Sequence, residues 1–199
     1  EAMDLLAEHT RVGTEYEDVP ARSPQTHLGY NDAAPIDAAA REVTSDTGEL
    51  HRNWGREYGR IDTPRSQVVY GFLGRNRPLQ TADLVVDART DFAVVAVSSL
   101  TGAPITTSDN LLLSAIGRAR NTGERRQDGQ IVDFGTCPIL AEVTEAEVSI
   151  RTKHPGLIVW SISAEGFYVG RVPTTYANGL LTFRIGDVFP SIYYLIRTE

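Results

Sequence analysis

Three apolar runs between Gln67 and Arg120 set the character of the chain: QVVYGFL, FAVVAVSSL and NLLLSAIGRA, parted by turn-forming residues and leading into Asn121-Thr122-Gly123. Runs of this length, rich in branched and aromatic residues and bounded by Gly, Pro, Asn and Ser, predict strands. Similar runs occupy 42–46, 50–54, 61–63, 82–88, 139–143, 145–152, 157–163, 167–172, 180–185 and 192–196, giving about thirteen short strands in all. Between Ala146 and Arg151, Val148 and Ile150 point to one side while Glu147, Ser149 and Arg151 point to the other, as in a half-buried strand. Phe92 to Val97 is almost continuously apolar and is expected to lie between two layers. Nothing alternates strands with long helices. The predicted fold is therefore all-β, an antiparallel β-sandwich or jelly roll, with its core after Ile61.

The first quarter follows a different pattern. Met3, Leu5, Leu6 and Ala7 are interspersed with acids and suit a short amphipathic helix over Glu1 to Thr10, which Gly13 would help to end. Prolines 20, 24 and 35 mark an extended arm from Val12 to Ala40, with one helical turn allowed at Ile36 to Arg41. The expected organisation is an N-terminal helix and arm over 1–41 and a sandwich over 42–199. Because the chain begins with Glu1, it is expected to be a processed or excised piece of a longer protein.

Charge narrows the function classes. A formal net charge of −7, with arginines scattered among acids, does not suit a phosphate-binding face, so no nucleic-acid partner is expected. No run approaches the length of a membrane span, and no membrane partner is expected. Cys137, the single cysteine, rules out an intrachain disulfide and is expected to be a buried structural thiol. His9, His27, His51 and His154 lack zinc-ligand spacing.

Two constellations could carry chemistry. Asp46 and Glu49 flank the Thr47-Gly48 turn and Asp62 follows, so a pair of carboxylates could flank a glycosidic bond; the competing reading makes Asp46 a turn residue and Arg65 the partner of a nearby acid. Trp54, Tyr58 and Tyr176 are candidates for stacking on sugar rings, Trp54 above all because it sits in a polar stretch. Trp160, inside an apolar run, is expected to be core. No cofactor is expected, although Asp83, Asp87, Asp91, Asp109, Asp128 and Asp133 leave a structural calcium ion open.

Several strings taken together, SDTGEL (45–50), IDTPRSQ (61–67), GFLG (71–74), VSSLTGAPI (97–105), SDNLLLSAIGRARNTG (108–123) and IYYLI (192–196), resemble the β-sandwich region that follows the catalytic barrel in certain bacterial glycoside hydrolases. The resemblance covers about 42–199. It implies a noncatalytic accessory domain whose partners are the catalytic barrel of the parent enzyme and a polysaccharide or oligosaccharide, in a secreted or cell-surface setting. No barrel motif is present onto which catalytic residues could be carried. Two other readings stay open: a free-standing carbohydrate-binding module, and a small β-sandwich hydrolase or lyase using Asp46, Glu49 or Asp62.

Overall fold

The computed structural model describes residues 39–199. The expected N-terminal helix, and the expected arm up to residue 38, lie outside the described residues. Among the described residues the structure is all-β, relieved only by two 3₁₀ turns at Leu73–Arg75 and Ile105–Thr107. In chain order the strands are β1 (Glu42–Thr44), β2 (Leu50–Asn53), β3 (Tyr58–Asp62), β4 (Ser66–Gly71), β5 (Leu79–Gln80), β6 (Leu84–Ala88), β7 (Ala93–Ser99), β8 (Asn110–Ile116) and β9 (Ala119–Thr122). They continue as β10 (Arg125–Gln127), β11 (Gln130–Asp133), β12 (Thr136–Ala141), β13 (Ala146–Arg151), β14 (Ile158–Ile162), β15 (Tyr168–Val172), β16 (Thr174–Ala177), β17 (Leu180–Ile185) and β18 (Tyr193–Arg197).

Two antiparallel sheets share one core. The larger runs β1-β2-β3-β4-β7-β8-β18-β14-β15 and the smaller β16-β17-β13-β6-β5. The chain changes sheet repeatedly, and between β15 and β16 it does so with Pro173 as the only intervening residue. That proline needs no ladder hydrogen bond at the corner. Val69, Val95, Val97, Leu111, Leu113, Val159, Tyr194 and Ile196 of the larger sheet meet Leu84, Val86, Val148, Ile150, Leu181, Phe183 and Ile185 of the smaller. A fully buried aliphatic side chain of this size contributes roughly 1.5–3 kcal/mol of transfer free energy. Gln67, 1% exposed, crosses between the sheets: its amide nitrogen donates to Asp83 Oδ2 (3.0 Å), and its oxygen accepts from Thr81 Oγ1 (2.6 Å) and the Asp83 amide (2.9 Å).

Between β8 and β13 the chain leaves both sheets and forms an arm in which β9 pairs with β12 and β10 with β11. The run expected as one strand over 110–119 divides at Gly117, where the arm begins. Asp128-Gly129 turns the β10–β11 hairpin and Asn178-Gly179 the β16–β17 hairpin, each with two consecutive positive φ angles. Asn or Asp followed by Gly is the pairing that two-residue hairpins of this hand require. All six residues of β12 are exposed. Cys137 is therefore exposed and not the buried thiol its sequence neighbours suggest, because the apolar residues beside it project from an arm and not from the body.

Candidate functional site

The three candidate acids are not gathered into a cleft. Asp46 and Glu49 are exposed at the β1–β2 turn, and the Asp62 amide donates to the Glu49 carbonyl (2.7 Å), so the backbones of Glu49 and Asp62 are neighbours across β2 and β3. The Asp62 carboxylate accepts the Ala82 amide (2.9 Å), which fastens the turn before β6. Thr63, Ser66 and their mutual hydrogen bonds shape the turn after Asp62.

The candidate sugar-stacking rings are divided between the sheets. Trp54 is half-buried after β2, with the Arg52 guanidinium 5.9 Å from its ring centre; Tyr58 opens β3 beneath Arg56 (5.4 Å) and against His51 (5.9 Å). Burial chiefly, and then the nearby Arg60 charge, push the His51 imidazole below its ordinary value. Tyr176 stands on β16 of the other sheet, its hydroxyl donating to the Thr152 carbonyl (3.0 Å). The three rings form no common platform.

Three concavities stand out among the described residues, and Asp46, Glu49 and Asp62 line none of these three. The largest of the three, about 430 Å³, lies at one end of the smaller sheet between two ion pairs, Arg77 with Asp87 (2.9 Å) and Arg184 with Glu147 (3.4 Å). A second, more apolar, lies beside it along β16 and β17 and is lined by Val172, Pro173, Phe183 and Val188. The third is lined by Val43, Leu50, Ile61 and Tyr70, together with His51, Arg52 and Arg60. Of the aspartates considered for calcium, Asp83 bonds Gln67, Asp87 pairs with Arg77, Asp91 with Arg75 and Arg118, and Asp133 with Arg125. No group of three potential ligands is assembled among the described residues.

The feature that sequence reading missed is the outer face of the larger sheet. The strand registers align its outward residues in rows: Val43, Arg52, Gly59, Tyr70, Val94 and Ile116; then Leu50, Ile61, Val68, Ala96, Ser114, Tyr193, Ile162 and Tyr168; then Ser66, Ser98, Leu112, Leu195, Trp160 and Arg171; and last Asn110, Arg197 and Ile158. The second row spans eight strands with one hydroxyl as its only hydrogen-bonding side chain besides the two tyrosines. Leu50 is 47%, Ile116 43% and Tyr168 56% exposed, most of the rest are half-buried, and Val43 and Ile158 are buried. Trp160 belongs here, edge-on to Tyr168 at 5.4 Å, and not to the core. Tyr70 lies across Gly59, where a Cβ would collide with the tyrosine ring.

The outer face of the smaller sheet is the opposite in character. Glu147 stands in register with both Asp87 and Arg184, and Ser149 hydrogen bonds Thr182 (2.8 Å). A sheet with one wet face should alternate as this one does. Among the described residues nothing covers the outer face of the larger sheet.

No protein-family model matches the chain, no curated protein is significantly similar to it, and no solved structure resembles it.

Proposed function

We propose that the chain is a noncatalytic β-sandwich, an accessory domain of a carbohydrate-active enzyme of the glycoside hydrolase type, and that its work is to pack on the catalytic domain. One observation carries the packing role: the central strands β4, β7 and β8 of the larger sheet present Val68, Tyr70, Val94, Ala96, Leu112 and Ile116 on the face turned away from the core. A contiguous apolar surface of this extent marks a docking site more often than a free surface. The carbohydrate context comes from the sequence resemblance over 42–199. The dispersal of Trp54, Tyr58 and Tyr176 over two sheets favours packing over a sugar-stacking platform.

The test is affinity electrophoresis of the chain through gels containing a panel of soluble polysaccharides, with Trp54→Ala alongside and a reducing-sugar assay on each polysaccharide. The reading expects neither retardation nor sugar release. Retardation abolished by Trp54→Ala would make the chain a binding module, and sugar release would turn attention to Asp46, Glu49 and Asp62.

A further inference from the structure

We infer that the stretch of chain just ahead of the described residues, 28–38, folds back over the β1–β4 end of the larger sheet and seats its apolar side chains in the concavity lined by Val43, Leu50, Ile61 and Tyr70. The place where the described chain begins is the first support. β1 is the edge strand of the larger sheet and pairs with β2 alone among the described strands. Just before it, the Arg41 carbonyl accepts the amides of Trp54 (3.0 Å) and Gly55 (3.2 Å), which pins the entering chain beside the strand that carries Val43. A Cβ at Gly55 would stand 3.2 Å from that of Arg41, so the glycine permits this close approach.

Reach is the second support. From β1 to β4 the face is about 14 Å wide, at ~4.8 Å per strand interval. The eleven residues from Leu28 to Ala38 can extend to about 36 Å, so they cross the concavity with length to spare.

Chemistry is the third. The concavity, about 320 Å³, joins its apolar walls to a basic polar lining of His51, Arg52 and Arg60, and no carboxylate lines it. The Arg60 charge is felt inside, where it acts with burial on the His51 imidazole. Residues 28–38 read LGYNDAAPIDA: Leu28, Tyr30 and Ile36 supply apolar groups, Asp32 and Asp37 supply the opposite charge, and no basic residue stands among them. Complementary charge favours and orients such a contact. The tether decides between this occupant and a second chain. A concavity of this size takes a few side chains, whereas a stable interface between separate chains buries about 800 Å² on each. A segment joined to the sheet a few residues away competes at an effective concentration of about millimolar. The inference goes beyond the packing role and does not rest on it, since Val94, Ala96 and Leu112 on β7 and β8 stay open to a partner domain.

The test uses the full chain, labelled with ¹⁵N, carrying Cys137→Ser and a nitroxide on His27→Cys, next to the segment. The amides around Leu50, Ile61 and Tyr70 should lose most of their peak intensity to the spin label, while those of β13 and β17 in the other sheet keep theirs. Adding Tyr30→Asp and Ile36→Asp should restore the lost intensity. Both substitutions lie outside the two-sheet body, and unchanged shifts in β13 and β17 verify that the body is folded.

Broadening that is absent, that spreads evenly over both sheets, or that survives Tyr30→Asp with Ile36→Asp overturns the inference. A mixture of nitroxide-bearing chain without ¹⁵N and ¹⁵N-labelled chain without nitroxide decides the remaining case. Unbroadened peaks in the mixture are expected. Broadening there would mean that the segment crosses to another copy, which also overturns it.

Discussion

Arg118 and Glu142 hold each other at the root of the arm in both directions: the Glu142 amide donates to the Arg118 carbonyl (2.7 Å), and the Arg118 amide donates to the Glu142 carboxylate (3.2 Å). The Arg118 guanidinium then reaches Asp91 (3.3 Å), which Arg75 also holds (2.9 Å), above the edge-to-face pair Phe72 and Phe92. Glu142→Ala should cost no more than about 1 kcal/mol overall, since these are exposed pairs. Its effect should instead be local. Hydrogen exchange read by mass spectrometry should quicken several-fold over 117–144 and stay unchanged in β4, β7 and β8. A uniform change would show that the ladder does not isolate the arm.

The same ladder gives the arm a pH response. Hydrogen bonding from Arg75, ahead of that from Arg118, holds the Asp91 carboxyl below the usual carboxylate range. A carboxyl depressed in the folded state contributes stability that is present above its unfolded value and is lost as pH falls through its folded value. The arm root should therefore loosen as pH falls through the folded value of Asp91. Backbone amide shifts of 117–144 followed by NMR through that range should move with the Asp91 carboxyl and stop doing so in Asp91→Asn.

Gln67 should be a costly residue to replace with an apolar isostere. Gln67→Leu leaves the buried Asp83 amide and the Thr81 hydroxyl without the oxygen they share, and a buried unsatisfied group costs about 1–3 kcal/mol. Urea denaturation should show a lower midpoint with little change in slope. A neutral outcome would mean that water or Leu84 takes over both bonds.

Tyr194, wholly buried, is the hub of the turn before its own strand. Its hydroxyl accepts the amides of Gly186 and Ser191 (3.2 Å each) and donates to the Phe189 carbonyl (3.3 Å). Tyr194→Phe should cost about 1–3 kcal/mol, because two backbone donors lose their acceptor. Burial also pushes the phenol up. Its contribution should be complete below the ordinary tyrosine value and lost as pH rises through the folded value, which alkaline melts of wild type and Tyr194→Phe would resolve.

Cys137, exposed on β12, should react stoichiometrically with Ellman's reagent in the native chain. Cys137→Ser should leave the melting temperature within error of wild type. Labelling only after denaturant would place the thiol under cover.

Much of the architecture could be read from the residues. The alternation of Val148 and Ile150 with Glu147, Ser149 and Arg151 gave β13 its faces correctly, and the apolar runs located the strands that carry the core. What escaped were strands too short or too polar to show a period, Leu79–Gln80, Ala119–Thr122, Arg125–Gln127, Gln130–Asp133 and Thr174–Ala177, which exist because a neighbour supplies the ladder. The outer face escaped for another reason. Continuous apolarity in 92–97 was legible as two-sided burial, but periodicity cannot tell whether the second cover is the chain's own. The candidate acids and rings were chosen by residue type, and type carries no information on whether strand order will bring Tyr176 near Trp54.

Tyr70 lying across Gly59 settles the relief of the larger sheet's outer face at its β3–β4 end. The missing side chain at 59 gives the ring a slot, so the tyrosine reclines instead of standing up from the sheet. Any larger residue there would tilt it outward and put a knob where the rows are now level. A rigid neighbour can settle on a level surface without first remodelling it, so the smallest residue of the face decides how much of its area a partner can touch.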